Sequence, residues 1–124
     1  MTDHFTLEEK TCPCGCGLNL VDLNRDFLIA LNTSRDLYGA AMNATSMTRC
    51  PKHNAEIGGQ PNSVHLQGRA ADISCIDGRE RKKMLFAFIS AGFKRFELSP
   101  VHIHADMGVG NPDVVLLKIG NQIG

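Results

Sequence analysis

Gly68-Arg69-Ala70-Ala71-Asp72-Ile73-Ser74-Cys75-Ile76 alternates along its length, with Ala70, Asp72 and Ser74 on one face and Ala71, Ile73 and Cys75 on the other. A period of two marks a strand. Asp77 and Glu80 follow as a capping-box-like pair, and Met84, Leu85, Phe88 and Ile89 then recur at helical spacing up to Gly92. The spacing predicts a helix whose buried stripe these four residues form.

Working outward, Leu23, Phe27, Leu28, Leu31 and Tyr38 fall on one stripe of a helix expected over residues 22–38, with Gly39 at the C-cap position. Residues 40–45 are short and apolar and lead into a strand expected to end near Arg49. Residues 50–64 hold two Pro, two adjacent Gly and three Asn or Ser, so they read as a long functional loop. Downstream, residues 93–98 and 102–106 read as strands broken at Ser99-Pro100, and residues 114–119 as a short terminal strand. The expected class is α+β, with two helices packed on a mainly antiparallel sheet. Residues 1–19 read as an irregular Cys-rich segment preceding the domain at 20–124.

With 124 residues there is room for one core. Hydrophobic residues at 43% and charged residues at 21% exclude a disordered chain. Thirteen Lys and Arg balance thirteen Asp and Glu, which argues against nucleic-acid binding. The longest nearly apolar stretch, residues 84–89, is far too short to span a bilayer. No secretory signal is readable in residues 1–10, so synthesis in the cytoplasm is expected, and the chain is expected to be a monomer without membrane contact.

His102 and His104 are separated by one residue, so a strand points both imidazoles to one face with Asp106, while Ile103 and Ala105 face the core. Within Ser63-Val64-His65-Leu66-Gln67-Gly68-Arg69-Ala70-Ala71-Asp72, a turn eased by Gly68 can bring His65 and Asp72 together. Imidazoles and a carboxylate gathered in one small volume are what a zinc site requires. The bland alternative is an exposed strand and a loop that merely caps hydrogen bonds.

The same residues carry a resemblance. Ser63, His65, Gly68, Ala70 and Asp72 fill the pattern Ser-x-His-x-x-Gly-x-Ala-x-Asp of the zinc D-Ala-D-Ala carboxypeptidases. That family includes vancomycin-resistance dipeptidases and phage L-alanyl-D-glutamate endolysins, and shares its fold with the hedgehog signalling domain. Ser46 to Arg49, Asn54 and Gly58-Gly59 resemble its upstream segments, and His104-Ala105-Asp106 its terminal His-x-Asp, so the likeness runs over about residues 20–108.

The resemblance implies a hedgehog/D,D-peptidase-like fold and a Zn2+ ion held by His65, Asp72 and His104, with a fourth position open to water. It implies hydrolysis of peptidoglycan stem peptides, as a D,D-carboxypeptidase or endopeptidase, with Arg49 and Ser63 contacting substrate. A phage or prophage lytic enzyme, or a wall-degrading part of a virion, is the implied setting. Many members carry an acidic general base three residues before the last ligand, where this chain has Val101. His102 is the first candidate to replace it and Glu97 the second. Without a base, the alternative is a non-catalytic, zinc-stabilised binding module of the same fold.

Five cysteines cannot all pair within one chain. Cys12, Cys14 and Cys16 could hold a second metal with Cys50 or His53, although their one-residue spacing is tighter than the usual Cys-x2–4-Cys. One disulfide among Cys50, Cys75 and the N-terminal group is a second possibility. Reduced, packed thiols are the preferred reading. His4 reads as an exposed terminal residue and His53 as a hydrogen-bonding loop residue.

Overall fold

The computed structural model describes residues 2–14, 16, 23–60 and 63–108, together with the backbone of 114–117. Among these residues lie four α-helices: α1 (Leu7–Lys10), α2 (Arg25–Tyr38), α3 (Pro51–Glu56) and α4 (Gly78–Ser90). Five strands, β1 (Ala44–Ser46), β2 (Ala70–Ser74), β3 (Arg95–Leu98), β4 (His102–Asp106) and β5 (Val114–Leu117), form one sheet in the order β1-β2-β4-β3-β5. The pairs β1–β2, β2–β4 and β4–β3 are antiparallel, and β5 runs parallel to β3. The fold is therefore α+β with a mainly antiparallel sheet, as the periodicity implies.

Local chemistry explains the two long helices. The Asn24 side chain accepts from the Phe27 N–H at 2.9 Å to start α2, and Gly39 ends it in the left-handed region at φ 77°. Asp77 caps α4 by accepting from the Arg79 and Glu80 N–H groups. Glu80 does not reach back to complete a capping box; its carboxylate accepts from the Tyr38 hydroxyl and so joins α4 to α2. Phe27, Leu31, Met84 and Phe88 from these helices meet Ala71, Ile73, Phe96, Ile103 and Ala105 of the sheet in one core. Phe93 fills the corner, edge-on to both Phe27 and Phe88.

Several expectations change. The strand expected to reach Arg49 stops at Ser46, because Met47 and Arg49 spend their backbone groups on His65 instead of a neighbouring strand. The expected loop at 50–64 contains α3, started by Cys50 as N-cap and Pro51 in the first turn, and leads into a 3-10 turn at Val64–Gln67. The N-terminal segment holds α1, whose Thr6 and Glu9 make a complete capping box, and its Phe5 joins the core. His4 is tied to α2, its N–H donating to Asn32 and its ring lying 2.6 Å from Asp36 Oδ1. Ile89 is exposed; Met84, Ala87 and Phe88 form the buried stripe of α4. Residue 22 and residues 118–119, included in the expected first helix and last strand, lie outside the described residues. Among the described residues no helix is long and apolar enough to cross a membrane.

Candidate metal centre

Register decides which side chains meet. Asp72 of β2 stands opposite His104 of β4, and Glu97 of β3 stands opposite His104 on its other side. Directly opposed residues share a face, so Asp72, His104, Glu97, His102, Asp106 and Arg95 project from one side of the sheet, away from α2 and α4. His65 reaches that face from the 3-10 turn, where Ser63 Oγ accepts the His65 N–H at 3.2 Å and Gly68 closes the turn at φ 67°.

Asp72 Oδ1 is the point of convergence. His104 Nδ1 lies 2.8 Å from it, His65 Nε2 3.2 Å, and His102 Nε2 3.9 Å. The ligand atoms of His65, Asp72 and His104 all lie within 4.8 Å of one another, and the three side chains are buried. The outer ring nitrogens are already engaged. His65 Nδ1 donates to the Met47 carbonyl at 2.6 Å, and His104 Nε2 donates to Asp106 Oδ2 at 2.7 Å. Neither oxygen can donate, so each outer nitrogen carries a hydrogen, and the inner nitrogens are left to face Asp72. A ring oriented from behind by a carbonyl or carboxylate is the usual support of a metal-binding histidine.

The electrostatics point the same way. Burial alone would lower the pKa of His104, but its hydrogen bonds with Asp106 and Asp72 prevail and raise it from 6.5 to about 9. His65, held neutral by burial, is shifted down. Burial opposes the Asp72 carboxylate, yet His65 and His104 hold its pKa far below the usual carboxylate range. The centre thus demands positive charge, which a proton on His104 supplies in the absence of metal. Two imidazoles and one carboxylate suit Zn2+ and are the protein ligands of an open, catalytic type of site.

Arg49 is 1% exposed and lies behind Asp72. Its Nη2 donates to Asp72 Oδ2 at 3.2 Å, its Nη1 to Asn54 Oδ1 at 2.8 Å and its Nε to Ser46 Oγ at 3.0 Å. A Cβ on Gly59 would sit 2.1 Å from Asn54 Oδ1 and 2.9 Å from Arg49 Nη1, so only glycine lets the backbone close over this pair. The guanidinium thus braces the Asp72 carboxylate from behind. Ser63, likewise buried, caps the turn that carries His65.

A cleft of about 440 Å³ opens beside the centre, lined by Pro13, Thr45, Ser46, His53, Ile57, Asp72, Val101 and His102. His102 and Asp72 connect it to the centre, and Val101, 39% exposed, stands at its edge. Glu97 is buried on the flank formed by β3. The Ser99-Pro100 break thus folds Glu97 back beside His104, as a role at the site would require. Asp106, which the strand alternation places on the same face as His104, takes the outer nitrogen of that ring, and the Met47 carbonyl takes the outer nitrogen of His65. The His-x-Asp spacing gives Asp106 its place beside His104, whereas the Met47 carbonyl is missed because a backbone group leaves no trace in side-chain identity.

The Peptidase M15 family model matches residues 3–106 of this chain. A search of the curated proteins gives no match.

Proposed function

The chain belongs to the peptidase M15 family, and from that membership we propose that it is a zinc peptidase hydrolysing peptidoglycan stem peptides, either as a D,D-carboxypeptidase or as an endopeptidase. The observation that carries this reading is the convergence of His65 Nε2, His104 Nδ1 and Asp72 Oδ1, with both outer ring nitrogens already engaged. Zn2+ held there would polarise the scissile carbonyl and bring the pKa of a water to about 7.

The residues of the chain divide the remaining work. His102 is the general base. It lines the cleft, and burial lowers its pKa despite nearby Asp72, which keeps the ring neutral and able to accept a proton at neutral pH. Ser99 Oγ accepts the Val101 and His102 N–H groups at 3.3 and 3.1 Å and lies 3.1 Å from His102 Nδ1, so it fixes the orientation of the ring. That orientation turns Nε2 toward Asp72, 3.9 Å from its Oδ1. Glu97, flanking His104 and outside the cleft lining, is the second candidate. Arg49 acts by fixing Asp72, and Ser63 by fixing the His65 turn; contact of either with substrate is the further role the family likeness suggests. The cell wall is then the place of action.

Zinc-loaded protein incubated with muropeptides provides the test, read by mass spectrometry. Loss of a terminal alanine marks a carboxypeptidase, and division of a cross-linked or stem peptide marks an endopeptidase. His102→Ala should retain zinc and lose turnover. Absence of cleavage by fully metallated wild-type protein would reject hydrolysis of this substrate and leave a zinc-stabilised binding module.

A further inference from the structure

Away from the His65, Asp72 and His104 centre, the Sγ atoms of Cys12, Cys14, Cys16 and Cys50 all lie within 4.8 Å of one another. Cys14 Sγ is 3.3 Å from Cys50 Sγ and 3.5 Å from Cys12 Sγ. A disulfide would need about 2.05 Å. Four sulfurs around one zinc ion, at Zn–S of about 2.3 Å, stand roughly 3.8 Å apart, close to what these thiols show. Hydrophobic packing does not account for the gathering, because Cys14 and Cys16 are exposed.

We propose that Cys12, Cys14, Cys16 and Cys50 form a second zinc site, closed by four thiolates and structural in role. Four soft sulfur donors select zinc over the hard cations that prefer oxygen, and a full set of protein ligands leaves no position for substrate. The chain is arranged to allow it. A turn at Pro13-Cys14 brings sulfurs only two residues apart to the same place, and Cys50 is presented at the start of α3. Backbone N–H groups already point at the sulfurs, Cys50 N–H at Cys12 Sγ and His53 N–H at Cys50 Sγ, each at 3.4 Å. Cys75 takes no part; it is buried beside the start of α4, its thiol directed at the Asp77 carbonyl.

Such an ion would tie the N-terminal segment to α3 at a consequential point. Cys50 directly follows Arg49, the brace of Asp72, and Pro13, between two of the ligands, forms part of the cleft wall with His53. The thiol site therefore holds one side of the cleft against the centre.

Protein purified under reducing conditions, with loosely bound metal removed, should carry two zinc ions per chain by elemental analysis and native mass spectrometry. Asp72→Ala should carry one, and Cys14→Ser should carry the other. Cobalt loaded into Asp72→Ala should give the near-ultraviolet sulfur-to-cobalt charge transfer and strong visible bands of a tetrahedral tetrathiolate, a reading that does not require any cysteine variant to fold. The proposal is overturned if wild-type protein binds a single ion that Asp72→Ala abolishes, or if cobalt gives no sulfur bands. It is equally overturned if iron occupies the thiols, or if the metal-free chain purified without reductant is lighter by four hydrogens, as two disulfides would make it.

Discussion

Strand β4 buries all five of its residues, yet its two faces are built on different principles. Ile103 and Ala105 turn toward the helices and need only shape, which Ile73, Ala71 and Phe96 supply. His102, His104 and Asp106 turn the other way, where every group demands a partner. Asp106 takes His104 Nε2, Arg95 Nε at 3.1 Å and the Gly108 N–H at 3.0 Å. The first face stabilises the chain. The second buries charge at a cost in stability and retains it as a chemical site. The difference teaches that burial alone does not define a core here, because one sheet carries both a hydrophobic interior and a polar one.

The strongest way to break the comparison is Asp72→Ala, which removes the carboxylate shared by Arg49, His65 and His104. Hydrolysis should fall to background and zinc at this centre should be lost, while removal of the carboxylate that neutralises buried Arg49 costs about 3–5 kcal/mol of stability. Far-UV circular dichroism beside zinc analysis checks both halves: the helical signal should persist. Zinc retained with activity gone would move Asp72 to an orienting role. On the opposite face, Ile103→Ala should cost about 2–5 kcal/mol in denaturant melts while each folded molecule keeps its zinc. Zinc loss from protein that remains folded would show that the two faces are not separable.

Asp106→Asn sharpens the contrast, because it keeps the shape behind His104 and removes the charge. Zinc affinity should fall about 10–100-fold, measured by competition with a chromogenic chelator, and stability should fall by about 1–3 kcal/mol because the amide cannot accept from His104, Arg95 and the Gly108 N–H together. The smallest effect concerns protons. His104 has its folded pKa raised from 6.5 to about 9, so in zinc-free protein its contribution to stability is complete below the unfolded value and fades as pH climbs through the folded one. Melting temperatures of the zinc-free chain should drop across that window. Zinc must displace the same proton, so its affinity should rise about tenfold per pH unit until pH is near 9, and calorimetry in buffers of different ionisation enthalpy should count about one proton released.

The alternation around Asp72 and His104 was readable because strand pairing preserves a period of two, so residues that share a face in sequence share it in space. For that reason, although His65, which sits on a 3-10 turn, was assigned as a ligand only through the family pattern, the shared face of His102, His104 and Asp106 was legible before any fold was known. Helix α3 was not, since Pro51, Pro61 and Gly58-Gly59 count as breakers in composition while Pro51 is a starter at the first turn of a helix. Arg49 illustrates a deeper limit. Its charge and motif were visible, but nothing local says whether a guanidinium faces substrate or braces a carboxylate 23 residues away. The thiols pose the same difficulty, since Cys50 joins the N-terminal group only once α3 is in place.

The centre also imposes an order of assembly. Glu97 and His104 meet across a short hairpin, whereas Asp72 and His104 are 32 residues apart and pair only when β2 docks beside β4. Contacts between distant segments carry a larger loop-closure cost and form later. His65 and Asp72 therefore arrive on one piece of chain and His104 on another, and the ion can bind only after the sheet has closed. An interaction absent until the last step leaves the folding rate alone and slows unfolding. Zn2+ bound between His65, Asp72 and His104 would serve as a latch on a finished fold rather than as a template for making it.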